Sequence, residues 1–149
     1  MKMDNLNKKD YEKYADKKVP KPTYGKNMVL AFLIGGSICT IGQFVNNYLS
    51  NQGYNEELAG MATSIFMIFL GALLTGLGVY DKIGKIGGAG AAVPITGFAN
   101  SIVAPAMEYK REGFIFGVAS KMFIIAGPVL VYGIGSSIIV GLLSILFKG

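Results

Sequence analysis

The sequence predicts an all-α, polytopic integral membrane protein: a small helical bundle with a Gly/Pro-broken re-entrant segment. Three observations carry that prediction. Two uncharged stretches, 28–49 and 58–80, are each long enough to cross a bilayer as a helix. Charged residues make up only 15% of the chain, against about 25% in an average soluble domain. Eight lysines and four acids precede Met28, so this arm holds +4 of the formal net charge of +5. A length of 149 residues suits one domain. A soluble globule, a nucleic-acid module and a disulfide scaffold are excluded.

Residues 1–26 read as a basic cytoplasmic arm and 27–149 as the membrane domain. Pro20 and Pro22 favour extended backbone before them, while 5–18 has weak helical character with few apolar anchors. The arm is either a solvated tail or a segment drawn to anionic headgroups, at roughly 1 kcal/mol per lysine near the surface. As a helix, 28–49 extends about 33 Å, enough for a hydrocarbon core of about 30 Å. No small-residue cleavage site follows it, so it is a retained span rather than a secretory signal. The loop 50–57 carries Glu56 and Glu57 but no cation, whereas Lys82 and Lys85 follow the second span. This bias puts the N-terminus and the Lys82 loop on the cytoplasmic side. Tyr24 and Tyr80 then fall at one interface, Tyr48 and Tyr54 at the other.

The third apolar block, 86–107, is interrupted by Gly87, Gly88, Gly90, Gly97, Pro94 and Pro105. Glycine and proline oppose a continuous helix, and broken backbone survives in a membrane only against protein or a water-filled cavity. The expectation is a discontinuous segment, bent near Val93-Pro94, that returns 108–112 to the cytoplasmic face; a full crossing is the alternative. The stretch 114–147 is too long for one upright span. Breaks are expected at Gly127-Pro128 and Gly133-Ile134-Gly135, giving an oblique segment 114–126 and a span near 127–147. Lys148 and Gly149 are expected at the membrane surface, with no C-terminal domain.

Histidine is absent, which removes the commonest general base and metal ligand. The single cysteine, Cys39, sits in an apolar run and reads as a small hydrophobe. No paired carboxylates in a polar setting, no Walker pattern and no G-x-S-x-G occur. The chain is therefore expected to be no enzyme, and to carry no metal and no cofactor. Polar groups inside apolar blocks are the remaining clues. Gln43 and Asn47 share a helical face, for interhelical hydrogen bonds or for a path. Thr96, Asn100 and Ser101 follow the break, where a restarting helix presents free N–H groups and its positive dipole end, suited to an anion. A lysine at Lys121 costs roughly 2.5–3.5 kcal/mol at a bilayer centre; it either snorkels to the interface or lines a hydrated path. The candidate anion path is thus Lys121, Thr96, Asn100, Ser101 and Gln43, and the candidate break or gate is Gly88, Gly90, Pro94 and Gly97. Small residues four apart, among them Ala31 and Gly35, Gly71 and Thr75, Gly113 and Gly117, allow close helix approach.

These motifs together resemble a known family. The first-span run Gly35-Gly36-Ser37-Ile38-Cys39-Thr40-Ile41-Gly42-Gln43, the segment Leu73-Leu74-Thr75-Gly76-Leu77-Gly78-Val79-Tyr80-Asp81-Lys82-Ile83-Gly84, and the glycine-rich Gly88-Ala89-Gly90-Ala91-Ala92-Val93-Pro94-Ile95-Thr96-Gly97-Phe98-Ala99-Asn100-Ser101 are similar to the SpoVA membrane proteins of endospore-forming bacteria. So are Glu108-Tyr109-Lys110-Arg111-Glu112-Gly113 and Lys121-Met122-Phe123-Ile124-Ile125-Ala126-Gly127-Pro128. The basic arm points to the longer of two sibling branches. The resemblance implies a channel or transport subunit that moves dipicolinic acid, with calcium, across the spore inner membrane during sporulation and germination, with membrane tension as a gating stimulus. A non-conducting assembly or anchoring subunit of the SpoVA complex is the alternative. The implied partners are other SpoVA proteins, membrane and soluble, and the lipid bilayer; a hetero-oligomer is expected, a homo-oligomer being the other arrangement, and no nucleic acid is involved.

Overall fold

A computed structural model describes residues 8–18 and 23–148, and every regular element among them is helical. The extended segment expected at Pro20 and Pro22, and the terminal Gly149, lie outside the described residues. The elements are α1 (Lys8–Lys18), α2 (Tyr24–Asn51), α3 (Glu56–Gly76), α4 (Tyr80–Gly87), α5 (Ala89–Ala92), α6 (Ile95–Glu108) and α7 (Phe123–Lys148). A 3₁₀ turn, Lys110–Glu112, and a π-helical turn, Phe114–Ala119, connect α6 to α7. Three stretches are long and apolar enough to cross a membrane: Tyr24–Asn51, Glu56–Gly76 and Phe114–Phe147, with mean hydropathies of 2.0, 2.0 and 2.3.

Local chemistry sets the ends of the first two spans. Gly53 adopts φ +91° just past α2 and donates its N–H to the Ser50 carbonyl. Asn55 then caps α3, its side chain accepting from the Leu58 N–H at 2.8 Å. Glu56 and Glu57 complement the helix dipole there. The second span closes earlier than its uncharged run suggests, at Gly76 rather than Tyr80. Gly78, at φ +68°, donates to the Thr75 carbonyl and Val79 donates to that of Leu74. That pair of bonds is a Schellman stop, and it frees Tyr80 to begin α4.

The broken segment is a hairpin laid against α2 and α3. From α4 the chain passes Gly88, at φ +50°, into the single turn of α5, and the helix restarts after Pro94 as α6. A Cβ added at Gly71 would lie 2.8 Å from the Thr96 Cα, and Thr75 Oγ1 lies 2.9 Å from Asn100 Oδ1. Contacts that advance four residues on both helices show that α6 runs in the same direction as α3. The turn after α6 therefore lies at the end of the bundle where α3 stops. Gly42 of α2 faces Met67 of α3, which places Thr96 near the level of Ile38, the midpoint of α2. The hairpin thus reaches about half the depth of the two spans before turning back.

Backbones meet where glycine removes the side chain. A Cβ on Gly90 would collide with the Ala31 carbonyl of α2, and one on Gly97 with the carbonyls of Ala91 and Ala92. The break expected at Gly127-Pro128 is absent: α7 continues through Pro128, through Gly133 and through Gly135. The discontinuity falls earlier, at Met122, between the π-helical turn and α7. A proline in a membrane helix removes one hydrogen bond that ordered neighbours can compensate. The oblique segment and the last span therefore divide near residue 122 rather than 126.

Replacing Gly90 by alanine inserts a methyl group against a backbone carbonyl that cannot rotate away. Overpacking of this kind costs about 1–3 kcal/mol. The same change at Gly76, which faces open space, is expected to be neutral or slightly stabilising. Thermal unfolding of the two variants in detergent measures the contrast.

Candidate functional site

The hairpin is held by two separate sets of hydroxyl hydrogen bonds, one around Tyr80 and one around Thr75. Tyr80, buried at the start of α4, donates its hydroxyl hydrogen to the Ala91 carbonyl at 2.7 Å. Thr96 Oγ1 lies 2.7 Å from the same phenolic oxygen. With the phenol hydrogen committed to Ala91, Thr96 is the donor of that second bond. Thr75, also buried, donates to the Gly71 carbonyl at 2.7 Å and sits 2.9 Å from the Asn100 amide. A hydroxyl carries one hydrogen; turning the Asn100 amide to present its NH₂ satisfies both contacts. Ser101 Oγ donates to the Phe98 carbonyl at 2.7 Å. No buried side-chain polar atom among the described residues lacks a partner.

A groove of about 830 Å³ runs along this structure, between α4–α5 on one side and α6 with the start of α7 on the other. Asp81, Lys85 and Glu108 line it, Asn100 and Ser101 lie along its α6 wall, and Gly88, Ala91 and Gly97 leave backbone facing it. Asp81, Lys85 and Glu108 are exposed. The groove therefore combines both signs of charge with neutral hydrogen-bonding groups and small residues.

The residues singled out from the sequence separate into two sets. Thr96 pairs with Tyr80 and Asn100 with Thr75, in two separate sets of hydrogen bonds, and Ser101 joins Asn100 along the groove. Gly88 stands at the turn between α4 and α5, Pro94 caps α6, and Gly90 and Gly97 are points of backbone contact. Gln43 lies elsewhere, exposed on α2, where its Nε2 donates to Asn47 Oδ1 at 2.8 Å. Lys121 is half-buried, with Nζ 4.9 Å from the centroid of the Tyr109 ring. That is a cation–π contact, and Lys121 does not line the groove. The two central residues that sequence reading left aside are Tyr80, taken for an interfacial aromatic, and Thr75, taken only for a small residue. Among the described residues no cluster of His, Cys, Asp or Glu has the makings of a metal site.

The profile of the SpoVAC/SpoVAEB sporulation membrane protein family matches residues 27–143. The chain is 48% identical over 142 residues to Stage V sporulation protein AC of Bacillus subtilis (strain 168), an alignment covering 95% of each chain. No solved structure gives a significant match.

Thr75→Val keeps the volume of the side chain while stranding the Asn100 amide. Because Asn100 is half-buried on the groove, the change removes a bond worth about 0.5–1.5 kcal/mol net, whereas Thr75→Ser retains the hydroxyl and should lie near the parent. Denaturation in detergent, read by circular dichroism, separates the two variants.

Proposed function

The chain belongs to the SpoVAC/SpoVAEB family of sporulation membrane proteins, and on that premise we propose that it is a channel or transport subunit moving dipicolinic acid, together with calcium, across the spore inner membrane. The observation that carries this reading is the groove beside a half-depth hairpin. A doubly charged aromatic acid does not cross hydrocarbon unaided, and broken helices in transport proteins occur where irregular backbone meets a hydrated site. Here the groove supplies Lys85 for a carboxylate, Asp81 and Glu108 for an accompanying cation, and Asn100 and Ser101 as neutral hydrogen-bonding groups.

In this reading the basic arm is cytoplasmic, by the excess of lysine on that side. The Lys110-Arg111 turn shares the arm's side, because α6 runs with α3 and the hairpin returns to the end it left. Lys121 acts as an anchor on Tyr109 near this turn rather than as a pore residue. Other SpoVA proteins, membrane-bound and soluble, complete the assembly. One observation favours the second reading, a non-conducting assembly subunit. No residue in the most apolar windows of Tyr24–Asn51 and Phe114–Phe147 is fully buried within the chain, which leaves faces of both helices free to meet lipid or neighbouring subunits.

Dipicolinate efflux from liposomes containing only this chain tests the leading reading. Flux above that of empty liposomes, weakened several-fold by Lys85→Gln, is the expected result; absence of flux or of tension-activated conductance assigns conduction to the assembly. Lys121→Met is expected to leave flux within about fivefold, since a single cation–π contact at a partly exposed site is worth only about 0.5–1 kcal/mol. For topology, Lys110→Cys in a Cys39→Ser background should resist an impermeant thiol reagent applied outside intact cells; labelling there replaces the hairpin by a full crossing.

A further inference from the structure

The geometry points to Tyr80 as the latch of the hairpin and the movable wall between two cavities. This inference rests on the transport reading and deepens it, by naming the group that holds the site shut. On the far side of Tyr80 from the groove lies a second cavity, about 370 Å³, formed between α2, α3 and α4 and lined by apolar residues such as Ile38, Met67 and Leu74. Among the described residues, Tyr80 is the one that lines both spaces. Its ring is 3% exposed, so it fills the partition rather than resting on it.

The bonds that fix this ring join the two arms of the hairpin. The Ala91 carbonyl belongs to α5, before the break, and Thr96 to α6, after it. Pro94 takes the following residues out of helical register, so the phenol supplies the hydrogen that Ala91 would otherwise receive from the backbone of a continuing helix. One hydroxyl therefore ties α4 to both sides of the break. Neither bond is part of a helix ladder, so releasing them dissolves no regular structure. When the ring swings aside, the groove and the apolar cavity become one space, and α4 is free to part from α6.

The test uses the full chain in liposomes and two independent readouts. In a Cys39→Ser, Met67→Cys background, where position 67 is buried on the apolar cavity, the modification rate by a small charged methanethiosulfonate reports passage from the groove past Tyr80. Passive efflux of trapped dipicolinate reports conduction. Tyr80→Phe keeps the ring and removes only the hydroxyl; it is expected to raise the labelling rate and the efflux by about tenfold or more, as for the loss of a buried hydrogen-bond partner. Thr96→Val should act in the same direction but less strongly, because the Tyr80–Ala91 bond remains; Thr96→Ser should remain at the parent rates, and the Tyr80→Phe, Thr96→Val pair should add little to Tyr80→Phe alone. An unchanged labelling rate in Tyr80→Phe overturns the latch, as does equal labelling in Thr96→Val and Thr96→Ser. If labelling rises while neither parent nor variants pass dipicolinate, the latch stands and conduction by this chain alone falls. Should Tyr80→Phe fail to insert, the two Thr96 variants decide the matter by themselves.

Discussion

A helix broken inside hydrocarbon leaves amide and carbonyl groups that lipid cannot hydrogen-bond, each costing several kcal/mol if unpaired. That constraint orders the centre of this molecule. The breaks at Gly88 and Pro94 create the hairpin, and the hairpin can exist only where the chain supplies partners for it. Tyr80 gives a hydrogen to Ala91 and takes one from Thr96, while Gly97 lets the start of α6 abut the carbonyls of Ala91 and Ala92. The depth of the hairpin, the course of α6 beside α3 and the groove along its outer face all follow from meeting this demand with nearby hydroxyl groups and glycines.

The same economy governs how the helices touch. In a bilayer no hydrophobic force drives one apolar helix onto another, so association depends on close packing and on hydrogen bonds between helices. Accordingly the buried apolar residues among those described are four alanines, Met67 and Tyr80, while most of the large aliphatic and aromatic side chains are exposed. Serine and threonine hydroxyls that do not bridge helices return to the carbonyl a turn earlier, as Ser37 does to Leu33, Thr40 to Gly36 and Thr63 to Ala59. That internal pairing removes the cost of placing them in an apolar helix.

Much of this architecture was legible in the sequence because membrane thickness imposes length and composition directly. Uncharged runs of sufficient length identified the first two helices, and glycine with proline marked the discontinuous segment. What escaped were features decided by contacts between distant residues. Tyr80, next to Asp81 and Lys82 at the end of an apolar run, has the sequence setting of an interfacial aromatic; only its partners, 11 and 16 residues onward, draw it inside. A local signal did exist for the end of α3, since Gly78 stands where a Schellman stop needs a left-handed residue, but three other glycines along the same run obscured it. Gly127-Pro128 misled in the opposite direction. Helix propensity treats that pair as a break, whereas the chain had already turned at Gly113, with φ +96°, and Gly117 had packed against the Tyr109 carbonyl. By residue 127 the helix had no further reason to stop.

These packing rules bear on how such a protein can change state. A site closed by large buried side chains would have to expose apolar surface in opening, and the hydrophobic penalty would hold it shut. Here the hairpin is flanked by small residues and secured by a few hydroxyl bonds, and its neighbours α2 and α7 meet it without any large fully buried side chain among the described residues. Separating α4 from α6 would therefore exchange side-chain hydrogen bonds for bonds to water entering along Asn100 and Ser101. The free energy at stake is that of two or three such bonds, about 0.5–1.5 kcal/mol net apiece. Forces of that size are available from subunit contacts or from strain in the surrounding bilayer, and the exposed faces of α2 and α7 are the surfaces through which either would reach the hairpin.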